Sequence, residues 1–244
     1  MKVMKKTLIV LSFVASALFT FAQTPANTKR ADVTRGNFLS VQAFDINHAI
    51  PEPPKDGSLA ASADLETVLR VQATRTEEQI AWAKTVDKNS LYMYQSVLGD
   101  WFTKENAPIT VALIRLVEQD TNGLSLRMKA LYKRPRPPTV SSQVQPCVAV
   151  PFSGSYPSGH SFQAYARAAV LAEIFPDKRD ALFLRAHEIA WGRIIAGVHF
   201  PTDIEGGRLF AEALMKEMLK NPQFIEQINK ARTEVAPFLV KKAA

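Results

Sequence analysis

Three short stretches of this chain hold the side chains whose types and spacing could do chemistry together. The first is Lys129-Ala130-Leu131-Tyr132-Lys133-Arg134-Pro135-Arg136-Pro137. The second is Gly154-Ser155-Tyr156-Pro157-Ser158-Gly159-His160. The third is Arg193-Ile194-Ile195-Ala196-Gly197-Val198-His199-Phe200-Pro201-Thr202-Asp203. Lys129 and Arg136 are seven positions apart, two helical turns, so both can point one way if the helix end bends slightly. Ser158 is placed to cap a helix, and Gly159 lets the backbone approach whatever lies in front of it. A helix start offers unpaired amides and the positive end of the macrodipole, a ready site for an anion. His160 puts a titratable group at the same spot. Pro201 suits a first helical turn, which leaves His199 just outside that helix and Asp203 inside it. A carboxylate so placed can fix the imidazole tautomer.

Each stretch also has a plain structural reading. Lys129, Arg136 and Arg193 could be solvated surface charges, the usual fate of a single Lys or Arg. His199 could be a satisfied half-buried histidine, and Asp203 an ordinary acid in a first helical turn. Together they share one logic. Two histidines, one backed by an acid, stand with three cations and a helix N-terminus. That combination suits metal-free phosphoryl transfer: cations and amides hold three phosphate oxygens, one histidine attacks, and the other protonates the leaving oxygen.

The elements that must position these groups read as helices. Ser62-Ala63-Asp64-Leu65 opens one with Leu65, Val68, Leu69 and Val71 near one face, expected to run to about Asp87. Ser90 to Phe102 and Ala107 to Gln119 are expected as two more, with Thr121-Asn122-Gly123 as a break. Leu124 to Lys133 is the next, stopped by Pro135 and Pro137. Pro137 to Tyr156 holds four prolines before Gly154 and reads as a long loop, a length that is usually functional. Helices follow at about 158–174, 178–197 and 202–219, then an amphipathic one from Pro222 to about Val235. Alternating strand patterns are nearly absent, so the expected fold is all-α, a single-domain helical bundle around one core.

Met1-Lys2-Val3-Met4-Lys5-Lys6, the apolar run Thr7 to Phe21, and Ala22 read as a secretory signal peptide, residues 1–22, cut after Ala22. The mature domain is then 23–244, with 23–63 a proline-dotted extended arm. Export to the periplasm or beyond follows, and no later apolar run is long enough for stable membrane insertion. Removing Lys2, Lys5 and Lys6 lowers the formal charge from +7 to +4. That excess suits small anionic substrates, and without basic–aromatic alternation nucleic acid is not an expected partner. Cys147 is the sole cysteine, so no intrachain disulfide forms.

Lys129-x6-Arg136-Pro137, then Pro157-Ser158-Gly159-His160, then Arg193-x5-His199-x3-Asp203 resembles the three-part signature of the phosphatidic acid phosphatase type 2 / vanadium haloperoxidase superfamily. Within it the chain is most similar to the secreted class A bacterial nonspecific acid phosphatases. Arg185, Glu188 and the tail Asn221-Pro222-Gln223-Phe224 add to the likeness. The resemblance implies a helical bundle and an acid phosphatase that hydrolyses small-molecule phosphomonoesters at mildly acidic pH without a metal or other cofactor. Phosphotransferase activity and homo-oligomers also occur in such relatives. It implies His199 as nucleophile forming a phosphohistidine, Asp203 orienting it, and His160 as general acid. Lys129, Arg136, Ser158, the Gly159 amide and Arg193 would bind phosphate oxygens, and vanadate would inhibit as a phosphate mimic.

Two positions depart from the pattern. Gly192 stands where relatives usually have Ser, with weaker phosphate binding expected, and Ser161 where many have Thr. Gly206 and Gly207 are expected to permit close helix packing, and Trp82, Trp101 and Trp191 to sit in the core or a pocket wall. His187 and His48 have no partner motif. The alternatives are a vanadate-dependent haloperoxidase, a lipid phosphate phosphatase, and a phosphate-binding module without turnover.

Overall fold

In the computed structural model, residues 36–39 and 44–240 are described. They all fall within one compact unit, Val33–Ala244. The expected signal peptide, its cleavage point and much of the arm lie outside the described residues. In chain order the α-helices are α1 Leu59–Thr74, α2 Glu77–Asp87, α3 Gln95–Leu98, α4 Pro108–Tyr132 and α5 Pro137–Val140. They continue with α6 Gly159–Ile174, α7 Arg179–Ile195, α8 Pro201–Met218 and α9 Pro222–Val240. Two 3₁₀ turns, Leu91–Tyr94 and Pro176–Lys178, complete the set, and no strand occurs among the described residues. The expected all-α class holds. Among the described residues no helix is long and apolar enough to cross a membrane.

The centre of the bundle is α6. Phe162, Ala164, Ala168, Val170 and Leu171 are fully buried, so this helix is apolar around most of its circumference. It packs against α4, α7, α8 and α9. Its alanines and two glycines on α8 let the backbones close up. A Cβ added at Gly207 would lie 2.7 Å from the Ser158 carbonyl oxygen, and one at Gly206 would lie 2.5 Å from the Tyr156 ring. These glycines permit the close packing expected of them, and they seat α8 against the start of α6. Truncating a fully buried aromatic such as Phe162 to Ala should cost about 3–5 kcal/mol.

Several expected boundaries moved. The short α5 forms at the start of the expected loop from Pro137 to Tyr156, because Pro137 and Pro138 suit a first helical turn, and α9 runs on past Val235 to Val240. The first helix begins at Leu59, with Ser58 as cap, and ends at Thr74; α2 then restarts at Glu77. Thr76 caps α2 reciprocally with Gln79, a capping box that gives the new start its own hydrogen bonds. In α4 the opposite happened, and the helix runs straight through Thr121-Asn122-Gly123. Burial of Thr121, Leu124 and Ser125 outweighs the cost of a mid-helix glycine, about 1 kcal/mol. Ala107 gives α4 no side-chain cap, and Glu234 of α9 supplies one by accepting from the amides of Ile109 at 2.7 Å and Thr110 at 2.9 Å. Between Ser90 and Phe102 only a 3₁₀ turn and the one-turn α3 form, ending at Gly99 with φ of 102°.

Candidate active site

α6 and α8 start side by side, and their starts carry the second and third stretches. Ser158 caps α6 by accepting from the Ser161 amide, and its own amide donates to the Asp203 carbonyl at 2.9 Å. Ser161 returns the link, its hydroxyl donating to the Ile204 carbonyl at 2.6 Å. The hydroxyl kept at this position thus joins the two helices. The Gly159 and His160 amides precede the hydrogen-bonded ladder of α6 and face outward, as any helix start requires.

His199 is 2% exposed, and its two ring nitrogens have different partners. Nδ1 lies 3.2 Å from Asp203 Oδ2, and Nε2 lies 3.1 Å from Arg136 Nη1. A guanidinium only donates, so Nε2 carries the lone pair and Nδ1 the hydrogen. Burial, then the charges of Lys129, Arg136 and Arg193, holds His199 well below its ordinary range. Its ring is neutral, with the Nε2 lone pair directed at Arg136. Asp203 is fully buried and accepts from the Phe200 amide at 2.8 Å, from Arg134 at 2.7 Å and from the Ser155 hydroxyl. Burial pushes its carboxyl up, while Arg134 and Ser155 pull it down.

Lys129 and Arg136 converge as expected, but not along one helix face. α4 ends at Tyr132, and Lys133, with φ of 48°, turns the chain. The two cations meet on the second stretch instead. Lys129 Nζ donates to the Gly154 carbonyl at 2.7 Å, and Arg136 Nη2 to the same oxygen at 3.2 Å. Both are buried, as is Arg193, so none is a solvated surface charge. Burial and the nearby Arg136 pull Lys129 down to about 7, and burial brings Arg136 to about 10.

Arg193 is 0% exposed, and one terminal nitrogen donates to Asp87 Oδ1 at 2.7 Å. Its Nε and Nη2 are buried and have no partner. A guanidinium edge left unsatisfied at this depth is costly unless an anion completes it. His160 lies beside it, Nε2 being 3.3 Å from the Asp87 carbonyl oxygen. Burial, with Arg193 close, lowers His160 to about 4. Gly197, with φ of 74°, makes the turn that carries the chain from Arg193 to His199. The structure therefore brings together Lys129, Arg136, Ser158, Gly159, His160, Arg193, His199 and Asp203. An adjoining groove of about 550 Å³ is lined by Lys129, Lys133, Arg136, Val150 and Phe152.

Gly192, to which weaker phosphate binding was attached, has a packing role of its own. A Cβ there would sit 2.9 Å from Val86 Cγ2, so this position faces α2 and serves helix packing. Four residues carry no mark in the sequence that singles them out as part of the site: Asp64, Asp87, Arg134 and Ser155. Arg134 had the nearest thing to a signal, its place in the basic run beside Arg136, whereas Asp64 and Asp87 sit at unremarkable helix positions far along the chain. His48 pairs with Asp45 at 2.7 Å, and His187 lies 3.4 Å from the Tyr165 hydroxyl, both away from this cluster. Among the described residues, no group of three or more His, Cys, Asp or Glu is placed to hold a metal ion.

Residues 109–225 match the PAP2 superfamily. The chain is 30% identical to a non-specific acid phosphatase of Providencia stuartii, over 96% of this chain and 98% of that one. It is 23% identical to a non-specific acid phosphatase of Salmonella typhimurium, over 76% of this chain and 78% of that one. Its fold is similar to that of a bacterial vanadium-dependent iodoperoxidase, at a TM-score of 0.59 and 21% identity over 72% of this chain. This chain spans only 54% of that enzyme's length. Likeness to the Providencia enzyme over nearly the full length of both chains, joined to the match across the helices that build the site, makes this protein a member of the PAP2 superfamily.

Proposed function

We propose that the protein is an exported, metal-independent acid phosphatase that hydrolyses phosphomonoesters through a phosphohistidine. The observation that carries this reading is the unsatisfied inner edge of Arg193, buried among the groups that act on His199. A tetrahedral oxyanion is the ligand that edge fits, and the acid phosphatase relatives point to a phosphate ester.

In the first step the phosphoryl group displaces the carbonyl contacts of Lys129 and Arg136 and draws Arg136 off His199 Nε2, which frees that nitrogen's lone pair. These cations, Arg193, the Ser158 hydroxyl and the Gly159 amide take its oxygens. The Nε2 lone pair of His199 forms the N–P bond, the P–O bond to the leaving group breaks, and His160 gives its proton to the departing oxygen. The ring becomes cationic, and Asp203 steadies its Nδ1–H. In the second step His160 takes a proton from water, the water oxygen bonds to phosphorus, and the N–P bond breaks to release phosphate. The cations stabilise charge that develops on phosphate oxygens in both steps, the usual source of most of the rate in phosphoryl transfer.

The test is hydrolysis of a chromogenic aryl phosphate in excess EDTA, beside His199→Ala. Turnover that survives EDTA, is blocked by vanadate and vanishes in the variant is the expected result. Vanadate binding with no turnover in the unmutated protein would replace this reading with a phosphate-binding module.

A further inference from the structure

The support of His199 extends past Asp203. Arg134, 7% exposed, lies between two buried carboxylates. Its Nη1 donates to Asp203 Oδ1 at 2.7 Å, and its Nη2 donates to Asp64 Oδ2 at 2.6 Å. Thr202 closes the group: its amide donates to Asp64 Oδ1 at 3.1 Å, and its hydroxyl donates to Asp64 Oδ2 while accepting from Arg134 at 2.7 Å. The guanidinium also lies 4.3 Å above the Phe200 ring. Asp64 comes from α1, far along the chain from Asp203 on α8.

Two carboxylates share one guanidinium beside a neutral imidazole, and the charges of Lys129, Arg136 and Arg193 act on the same ring. An isolated structural ion pair would need one carboxylate. The second draws part of Arg134's positive charge away from Asp203, so that Asp203 keeps more of its own charge for the ring. When Nε2 bonds to phosphorus the ring turns cationic, and the negative charge that Asp203 keeps stabilises it. In a water-poor site such an adjustment acts at close to full strength.

We propose that Asp64, acting through Arg134, is a positioning residue for the nucleophile: it sets the orientation and available charge of Asp203, and through it the hold on the Nδ1–H of His199. The proposal rests on the phosphohistidine reading and adds a residue from outside the three motif stretches.

The experiment uses Asp64→Asn, which keeps the shape and removes the charge, and Arg134→Lys, which keeps the charge and removes the fork. Working sites are counted from the phosphoenzyme burst, and kcat is expressed per working site. Asp64→Asn is expected to lose about tenfold to a hundredfold in kcat per site, the rate equivalent of one weakened charge-assisted hydrogen bond. KM should stay within about twofold, because the phosphate-binding cations are untouched. In ¹⁵N-labelled protein the His199 Nδ1–H resonance, assigned against His199→Ala, should move upfield. A lowered Tm with unchanged kcat per site and unchanged His199 resonances overturns the proposal. If Asp64→Asn does not fold, Arg134→Lys is followed by the same two measurements: a fall in kcat per site with a moved resonance supports the proposal, and no change in either overturns it. If the unmutated protein hydrolyses nothing, the phosphatase reading fails by itself, and the His199 resonance still decides whether Asp64 acts on the ring.

Discussion

At the scale of single residues, the site assigns its protons before a substrate arrives. Asp203 faces Nδ1 of His199 and Arg136 faces Nε2, and burial among cations favours the neutral ring, so Nε2 keeps its lone pair. Lys129, at about 7, titrates near neutrality, and the group assigned the acid role, His160, titrates lower. In the free protein it sits at about 4 because of burial and Arg193, and a bound phosphate, being negative, must raise it. The alkaline limb of kcat/KM, which reports the free enzyme, should therefore lie at lower pH than that of kcat. Coincident limbs in steady-state profiles would take the general-acid role from His160. Lys129, Arg136, Ser158, Gly159, His160, Arg193, His199 and Asp203 were picked out in the sequence by the three motif stretches and the family resemblance, although Lys129 and Arg136 do not meet along the single helix face that their spacing suggested. Asp64 and Asp87 were not picked out, since their partners sit in distant helices and no local pattern marks them.

At the scale of elements, the helical class was plain from periodicity, while several boundaries were decided by burial and caps. Thr76-x-x-Gln79 was enough to end one helix and begin another, although the apolar pattern continues across it. Asn122-Gly123 was not enough to break α4, whose neighbours hold it on both sides. Gly192 shows the same limit. Its place before Arg193 suggested a role toward phosphate, but its missing Cβ makes room for Val86. Gly192→Ser should destabilise by about 1–3 kcal/mol through overpacking, and Val86→Ala in the same chain should restore most of the loss. Denaturant unfolding of the two variants measures this. Tighter phosphate inhibition without any loss of stability would return Gly192 to the phosphate site.

At the scale of the whole molecule, a cluster of buried cations and neutral histidines ties folding to pH. His160 has a folded value of about 4 against 6.5 as an ordinary histidine, and His199 is shifted the same way. Between those values the unfolded chain binds more protons than the folded one, so stability falls as pH drops through this window. The buried Asp203 carboxyl, pushed up, opposes the trend. Sulfate keeps its charge across the range and should bind the site as a phosphate stand-in. Thermal unfolding should show Tm falling from about pH 7 to about pH 4.5 in chloride, with sulfate restoring more at the acid end. Equal protection by sulfate at both ends would mean that anion binding and histidine protonation are uncoupled.

The seam between α6 and α8 has a practical consequence. Gly206, Gly207, Ser158 and Ser161 weld the two helix starts together, so the distance between His160 and His199 belongs to the backbone and is insulated from side-chain change elsewhere. The end of α2 reaches the same site through Asp87 and is tied to α6 through Asn89, which accepts from Arg167 at 3.0 Å. A designer seeking a different alcohol specificity would therefore leave the seam and the end of α2 alone and vary Val150 and Phe152, exposed residues that line the groove beside Lys129 and Arg136.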